Sequence, residues 1–448
     1  MSNRWLPLAL VCLAMQVQAQ PETHSAGNDR LTLLQLYDAS RLNDPVMRSA
    51  DFAHQAAQNE KAIGRGGLLP QVSLSSRYGK GGRTDGGTDA SYVDSDDYQS
   101  NSMSLIAQQP IYDKGRWAAY EGGKARGQLG EVQYDVANQA LFDRVAKAYF
   151  AVARVENELK LIAQQKAAIG GLVEQSQRLF DKGQGAITDV DEARARYDLV
   201  QAQEAENQAQ RTAALRTLSG RGSLPLLEIE PMRELPPDTN PLSAEHDLPY
   251  WTALARDTSP ELAARLAQVK VAEAQTQAER AGHYPTLSLT TQLTRRDNSQ
   301  YQEISPRQDS YYVGLALDIP LYRGGATSAS VRRATAALAG AEADADAQRQ
   351  QLTEDVETAY AGVVAGYAKC RATQRAVESN QRALVSTEKG FQGGVRSTVD
   401  ILDAQQRLFE ARRDLLNAKL DMLQSYVTLH VHTGQMDRGV LAQVETLF

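Results

Sequence analysis

The segment Phe180-Asp181-Lys182-Gly183-Gln184-Gly185-Ala186-Ile187-Thr188-Asp189-Val190 returns 211 residues later as Phe391-Gln392-Gly393-Gly394-Val395-Arg396-Ser397-Thr398-Val399-Asp400-Ile401. Phe180, Gly183 and Asp189 fall on Phe391, Gly394 and Asp400, and further on Ala193 and Arg196 fall on Ala404 and Arg407. The echo extends outward. Asp44-Pro45 is matched by Ser259-Pro260, and Leu69-Pro70-Gln71-Val72-Ser73-Leu74 by Tyr284-Pro285-Thr286-Leu287-Ser288-Leu289, both at a shift of 215. Pro110-Ile111-Tyr112 returns as Pro320-Leu321-Tyr322 at 210. Landmarks in one order at nearly one spacing identify a tandem duplication, roughly 30–219 and 248–435, joined by a Pro-rich stretch from Leu224 to Pro249.

Within each half the apolar period changes. Val72, Leu74 and Tyr78, and later Leu287, Leu289 and Leu293, alternate with polar residues. So do Met103, Leu105 and Ala107, and Val313, Leu315, Leu317 and Ile319. Alternation predicts strands with one apolar face, two per half, joined by polar loops at 80–97 and 297–309. Strands of about 10 residues suit a tilted bilayer crossing. Nine of the 18 tyrosines (78, 92, 98, 112, 284, 301, 311, 312 and 322) lie within 78–112 and 284–322, where Phe and Trp are absent. Tyrosine girdles belong to outer-membrane barrels, although a soluble β-domain shares the alternation. Four strands leave open edges, which lipid does not tolerate, so a membrane reading requires several chains to share one barrel.

After each β-hairpin comes a proline-free stretch, Asp113 to Phe180 and Arg323 to Phe391, long enough for a helix of about 100 Å. Leu141, Val145, Ala148, Val152, Val155, Leu159, Ile162, Ile169, Val173 and Phe180 keep a heptad in the first. Leu352, Val356, Ala359, Val363, Cys370, Leu384 and Phe391 follow it in the second, which predicts coiled-coil packing. A glycine turn ends each stretch, and a second helix returns over Thr188–Leu218 and Thr398–His432. The expected fold is therefore mainly α with a small β part.

Of the 448 residues 42% are hydrophobic and 23% charged, and after residue 19 no apolar run reaches the ~18 residues of a spanning helix, which excludes a polytopic inner-membrane protein. The formal charge of −7, without a basic stripe, excludes a nucleic-acid partner. Residues 1–19 read as a secretory signal peptide ending at Val17-Gln18-Ala19, with Cys12 preceded by Val11 rather than by the small residue of a lipoprotein signal. Cleavage leaves Cys370 alone at a core heptad position and raises the net negative charge to −8 by removing Arg4. His430 and His432, two apart on a helix, face different ways and are not read as a metal pair. The Gly79–Gly87 run lacks the ending of a phosphate loop. No metal, cofactor or catalytic motif is expected, and the chain is read as no enzyme.

This layout resembles the TolC family of outer-membrane efflux and type I secretion proteins over nearly the whole mature chain, on the two tip segments above, the duplication and the paired strand starts. The resemblance implies a homotrimer in which three chains of four strands share one barrel of twelve, embedded in outer-membrane lipid, and in which the helical hairpins form an α-barrel tunnel across the periplasm. It implies an exit duct that docks a periplasmic adaptor and an inner-membrane transporter, ABC or proton-driven. Thr188 and Asp189 then match the acceptors of the gate links and Arg396 the donor, a charge-assisted bond that breaks on opening. Phe391 stands where the family's archetype has tyrosine, which removes a hydroxyl from the gate. Asp400 and Asp403 match paired acidic rings at the entrance, where crowded carboxylates favour cations. The tip turns Gly183-Gln184 and Gly394-Val395 fall where the family meets its adaptor, although Gln184 departs from the family's usual apolar residue after the glycine.

The expected division is a signal peptide (1–19), a first repeat (20–219, strands about 68–80 and 98–112, helical hairpin 113–219), a linker (220–249), a second repeat (250–435, strands about 284–297 and 310–322, helical hairpin 323–435) and a tail (436–448). The rival function is a periplasmic adaptor, which has a single hairpin beside a compact β-domain; a soluble coiled-coil scaffold ranks third. The absent lipid anchor favours protein secretion over drug efflux as the cargo branch.

Overall fold

The computed structural model describes residues 30–86, 93–222, 228–229, 240–242, 246–299 and 307–447. The expected signal peptide and much of the expected linker lie outside these residues. In the first half the elements are β1 (Arg30–Leu31), α1 (Leu33–Asn43), α2 (Pro45–Gly66), β2 (Gln71–Gly86), β3 (Val93–Tyr112), α3 (Lys114–Asp181) and α4 (Ile187–Gly222). After β4 (Glu228–Ile229) the second half repeats them as α5 (Leu248–Thr258), α6 (Pro260–Ala281), β5 (Thr286–Ser299), β6 (Arg307–Asp318), α7 (Ala326–Gln392) and α8 (Thr398–His432), and α9 (Arg438–Leu447) ends the chain.

The repeated Asp44-Pro45 and Ser259-Pro260 are helix starts. Asp44 caps α2, its Oδ1 accepting from the N–H groups of Val46 at 2.7 Å and Met47 at 3.3 Å. Pro45 and Pro260 occupy the first helical position, where a missing N–H costs nothing. The apolar periodicity of the sequence does not mark these helices, and they add a layer beside the long ones. α3 has 68 residues, about 100 Å, whereas the returning α4 has 36, about 54 Å. α2 packs along the end of α3 nearest the strands, and α6 lies between α3 and α7. Each chain thus presents four packed helices along its length: α2, α3, α6 and α7 near the barrel, and α3, α4, α7 and α8 toward the tips.

The sheet order is β2-β3-β5-β6, all antiparallel. Register sets the two faces. Leu74, Leu105, Leu293 and Tyr311 form one cross-strand row on the outer face, and Tyr311, Val313, Leu315 and Leu317 continue it along β6, each more than 60% exposed. Exposed Tyr78 and Tyr311 stand at the loop end of this band, and Tyr112, Tyr284 and Tyr322 at the helix end. Two tyrosine levels flanking an apolar band is the pattern of a barrel exterior. The inner row Ser75, Ser104, Thr294 and Ser310 is polar. There Ser104 Oγ and Thr294 Oγ1 lie 3.1 Å apart, and Gln292 Nε2 donates to Thr294 Oγ1 at 3.0 Å.

Strand limits differ from those expected. The ladder continues from Lys80↔Gln99 to Gly86↔Val93, and from Arg295↔Asp309 to Asp297↔Arg307, through segments expected as loops. Backbone pairing needs no side-chain alternation, and beyond the bilayer both faces of a strand are wet, so the period-two signal fades before the strand does. β6 stops at Asp318, four residues short of expectation, because Pro320 has no N–H to extend the ladder. Within central β3, Pro110 sits at a register shift between Pro110 and Tyr112.

Most heptad positions are core. Leu141, Val145, Val152, Ile162, Ile169, Leu352, Val356, Val363 and Leu384 are buried, and Tyr37 stacks on Phe142 at 4.0 Å beside them. Val155, Leu159 and Val173 are only partly covered and Phe180 is exposed. Cys370 is buried, and burial pushes its thiol up. His430, near the end of α8, is 8% exposed and lies edge-on to Tyr426 (4.6 Å) and Trp251 (5.1 Å). Burial lowers its pKa to about 4, so it is neutral in the folded chain. The unfolded chain takes up this proton below about pH 6.5, so stability is lost as pH falls from 6.5 to about 4, by up to about 3 kcal/mol per chain. The thermal midpoint of detergent-solubilised protein is expected to drop across that window, and to drop less in His430→Leu. An identical pH profile in the variant would remove His430 from the account.

Candidate gate at the helical tips

Each long helix ends by the same backbone device. Gly183 (φ 70°) and Gly394 (φ 76°) are left-handed, a conformation that glycine adopts without strain. The N–H of Gln184 donates to Leu179 O at 2.8 Å and that of Gly183 to Phe180 O at 2.8 Å. Val395 N–H to Gly390 O and Gly394 N–H to Phe391 O, both 2.9 Å, repeat the pattern. The turns hold Gln184 and Val395 outward at the ends of the molecule, with Val395 80% exposed.

The tips then diverge. Ser397 caps α8 reciprocally: its Oγ accepts from Asp400 N–H at 3.2 Å, while Asp400 Oδ2 accepts from Ser397 N–H at 2.8 Å and Oγ at 2.9 Å. The Ser397 N–H, then its hydroxyl, with Arg396 adding, holds the Asp400 carboxyl below the usual carboxylate range. In the first tip the position of Ser397 is taken by Ala186 (397 − 211 = 186), which has no hydroxyl. Asp189, the counterpart of Asp400, is left without an ion pair or side-chain hydrogen bond among the described residues. Thr188 beside it is exposed.

Arg396, in the turn before α8, has its Nη1 3.5 Å from Asp400 Oδ1, and among the described residues it forms no ion pair or hydrogen bond with Thr188 or Asp189. Phe391 is half-buried against the apolar cluster of Ile162, Ile169, Leu172, Val200, Ile401 and Leu402, so packing rather than a hydrogen bond holds it. Asp403 turns toward the other hairpin. Its Oδ1 accepts from Arg196 Nη2 of α4 at 3.2 Å. Arg196 carried no role in the sequence reading, although its spacing of seven from Asp189 puts both on one face of α4. Higher up, Gln165 Nε2 donates to Gln406 Oε1 at 2.8 Å across the hairpins, and Lys166 Nζ to Glu204 Oε2 at 2.5 Å between α3 and α4. Among the described residues no three metal-ligating side chains converge.

The sequence profile of the family described as outer membrane efflux protein matches residues 36–220 and again 251–435, the two repeats. The alkaline protease secretion protein AprF of Pseudomonas aeruginosa is 31% identical over 422 residues, 93% of this chain and 87% of AprF. The outer membrane protein TolC of Vibrio cholerae is 30% identical over 439 residues, 95% of each chain. Among solved structures, that of CusC, studied for its folding and transmembrane channel formation, superposes with a TM-score of 0.77 at 18% identity, covering 93% of this chain and 96% of CusC.

Proposed function

The chain belongs to the outer membrane efflux protein family and forms an outer-membrane exit duct, not an enzyme; from that premise we propose that it is the outer component of a three-part export system, opened at its helical tips by a periplasmic adaptor coupled to an inner-membrane transporter. The observation that carries the reading is the continuity of a four-stranded sheet, open at β2 and β6, with helices of about 100 Å ending in capped glycine turns. Open edges in lipid must be paired, and three copies pair them in one closed barrel. The helices then line a tunnel that the tips close.

In this reading Asp189 and Thr188 accept from Arg396 across the closed tip. Support comes from the asymmetry of the duplication: loss of the serine cap at Ala186 leaves the Asp189 carboxylate uncommitted, and Arg396 is largely solvent-accessible. Phe391 seals by packing. Asp400 and Asp403, on one face of α8, line the entrance, and Gly183-Gln184 with Gly394-Val395 meet the adaptor. Residues 20–219 and 250–435 act as the two repeats, with 1–19 removed as a signal peptide. AprF is named for protease secretion, which favours a secreted protein as cargo.

Single-channel recording of purified protein in a planar bilayer tests the gate. Wild-type protein is expected to show a small cation-selective conductance, and Asp189→Asn/Arg396→Ser one several-fold larger. A double variant indistinguishable from wild type would remove these residues from the gate while leaving the duct.

A further inference from the structure

We propose that Arg196 is the latch and counter-ion of the entrance: it neutralises Asp403 while the tip is closed and surrenders that carboxylate to the entrance when α4 and α8 separate. The proposal rests on the reading of Asp400 and Asp403 as entrance acids and extends it to a residue outside that set.

The pair joins different hairpins. Arg196 belongs to the helix returning from the first tip and Asp403 to the helix returning from the second, and Nη2 and Oδ1 are 3.2 Å apart. Between this pair and the tips, no polar contact joins α4 to α8 among the described residues, so any motion that swings one returning helix from the other breaks this bond first. Glu192, one turn nearer the tip on α4, lies 3.7 Å from the Arg196 Nε and steadies the guanidinium. Both partners are accessible, Arg196 at 35% and Asp403 at 45%, so the bond is screened, adds little to fold stability and exchanges readily.

Charge bookkeeping at the tip supports a role beyond packing. Asp400 is committed to Ser397 and faces Arg396, and Asp403 faces Arg196. In this conformation each acid of the entrance faces a guanidinium, and Asp403 in particular is held by Arg196, so the mouth attracts cations less than its carboxylates alone imply. A polyvalent cation and Arg196 compete for the same Asp403 oxygens. By linkage, breaking the latch raises cation affinity, and cation occupancy loosens the latch by the same factor.

The test is the conductance of full-length trimers in planar bilayers, with hexaamminecobalt(III) added on the periplasmic side. Arg196→Gln is expected to raise conductance and to lower the blocking concentration roughly tenfold, within the range of ordinary site couplings. Arg196→Lys, which keeps the charge, is expected to stay near wild type. Asp403→Asn is expected to raise conductance while weakening block. The swap Arg196→Asp/Asp403→Arg restores low conductance without restoring block, a result that a merely structural role for Arg196 does not produce. If Arg196→Gln matches wild type in both readouts while Asp403→Asn changes block, the latch is overturned and the entrance acids stand. If Asp403→Asn leaves block untouched, the entrance reading fails and the latch fails with it.

Discussion

Replacing Leu315 by arginine is expected to abolish recovery of folded trimer from membranes. Leu315 is the middle of the outward row Tyr311, Val313, Leu315, Leu317 and Ile319, between the two tyrosine levels, and is 63% exposed on the isolated chain. On a barrel exterior that exposure is to hydrocarbon, and an arginine at the bilayer midplane costs about 2–4 kcal/mol. Three chains share the barrel, so the cost enters three times, against a typical domain stability of about 5–15 kcal/mol. Thr290 supplies the control. It is paired with Gly314, next to Leu315 but on the opposite face of the sheet. Thr290→Lys therefore points into water in the lumen; it is expected to assemble normally and to shift ion selectivity toward anions. The measurement is the fraction of protein migrating as heat-sensitive trimer in unboiled gels. Equal loss in both variants would mean that the two faces are wrongly assigned.

The second large effect lies where α2 meets α3. Gly123 and Gly130 are seven residues apart on one face of α3. A Cβ on Gly123 would stand 2.5 Å from the Glu60 carbonyl oxygen, and one on Gly130 would collide with Ala57 Cβ. Neither obstacle is the far end of a flexible side chain, so the two helices must move apart. Gly123→Leu is expected to destabilise each chain by about 1–3 kcal/mol or more, lowering the thermal midpoint of the trimer and opening the upper tunnel wall to protease. Gly171→Leu, at a position with open space around it, is expected to leave both unchanged. A tolerated Gly123→Leu would show that α2 is not seated against α3.

These two cases mark how far the sequence could be read. The outward face of β6 was visible in the period-two spacing of Val313, Leu315, Leu317 and Ile319, because lipid on one side and water on the other impose opposite demands on successive residues. The long helices were visible in their heptads, since a coiled-coil seam recurs at a fixed interval. The helices α2 and α6 were not. Their alanine-rich faces pack through small residues such as Ala57, Ala274, Gly123 and Gly130, whose close approach requires little hydrophobicity, and only the repeated Asp44-Pro45 and Ser259-Pro260 marked their starts. At the tips, the glycine turns were legible because the left-handed backbone selects glycine. The destination of each charged side chain was not. Sequence spacing places Asp400 and Asp403 together on α8, whereas hydrogen bonding sends one to Ser397 and the other across to Arg196. Side-chain pairing between hairpins depends on the rotation of α4 against α8, which no local pattern records.

The central claim is that four strands with two open edges become a duct only by sharing a barrel. Native mass spectrometry of the protein extracted from outer membranes in mild detergent, without heating, tests it most directly. The account predicts a complex of three chains and no folded monomer, converting straight to unfolded single chains on heating. A stable folded monomer carrying its full β-structure, with β2 and β6 unpaired, would contradict it.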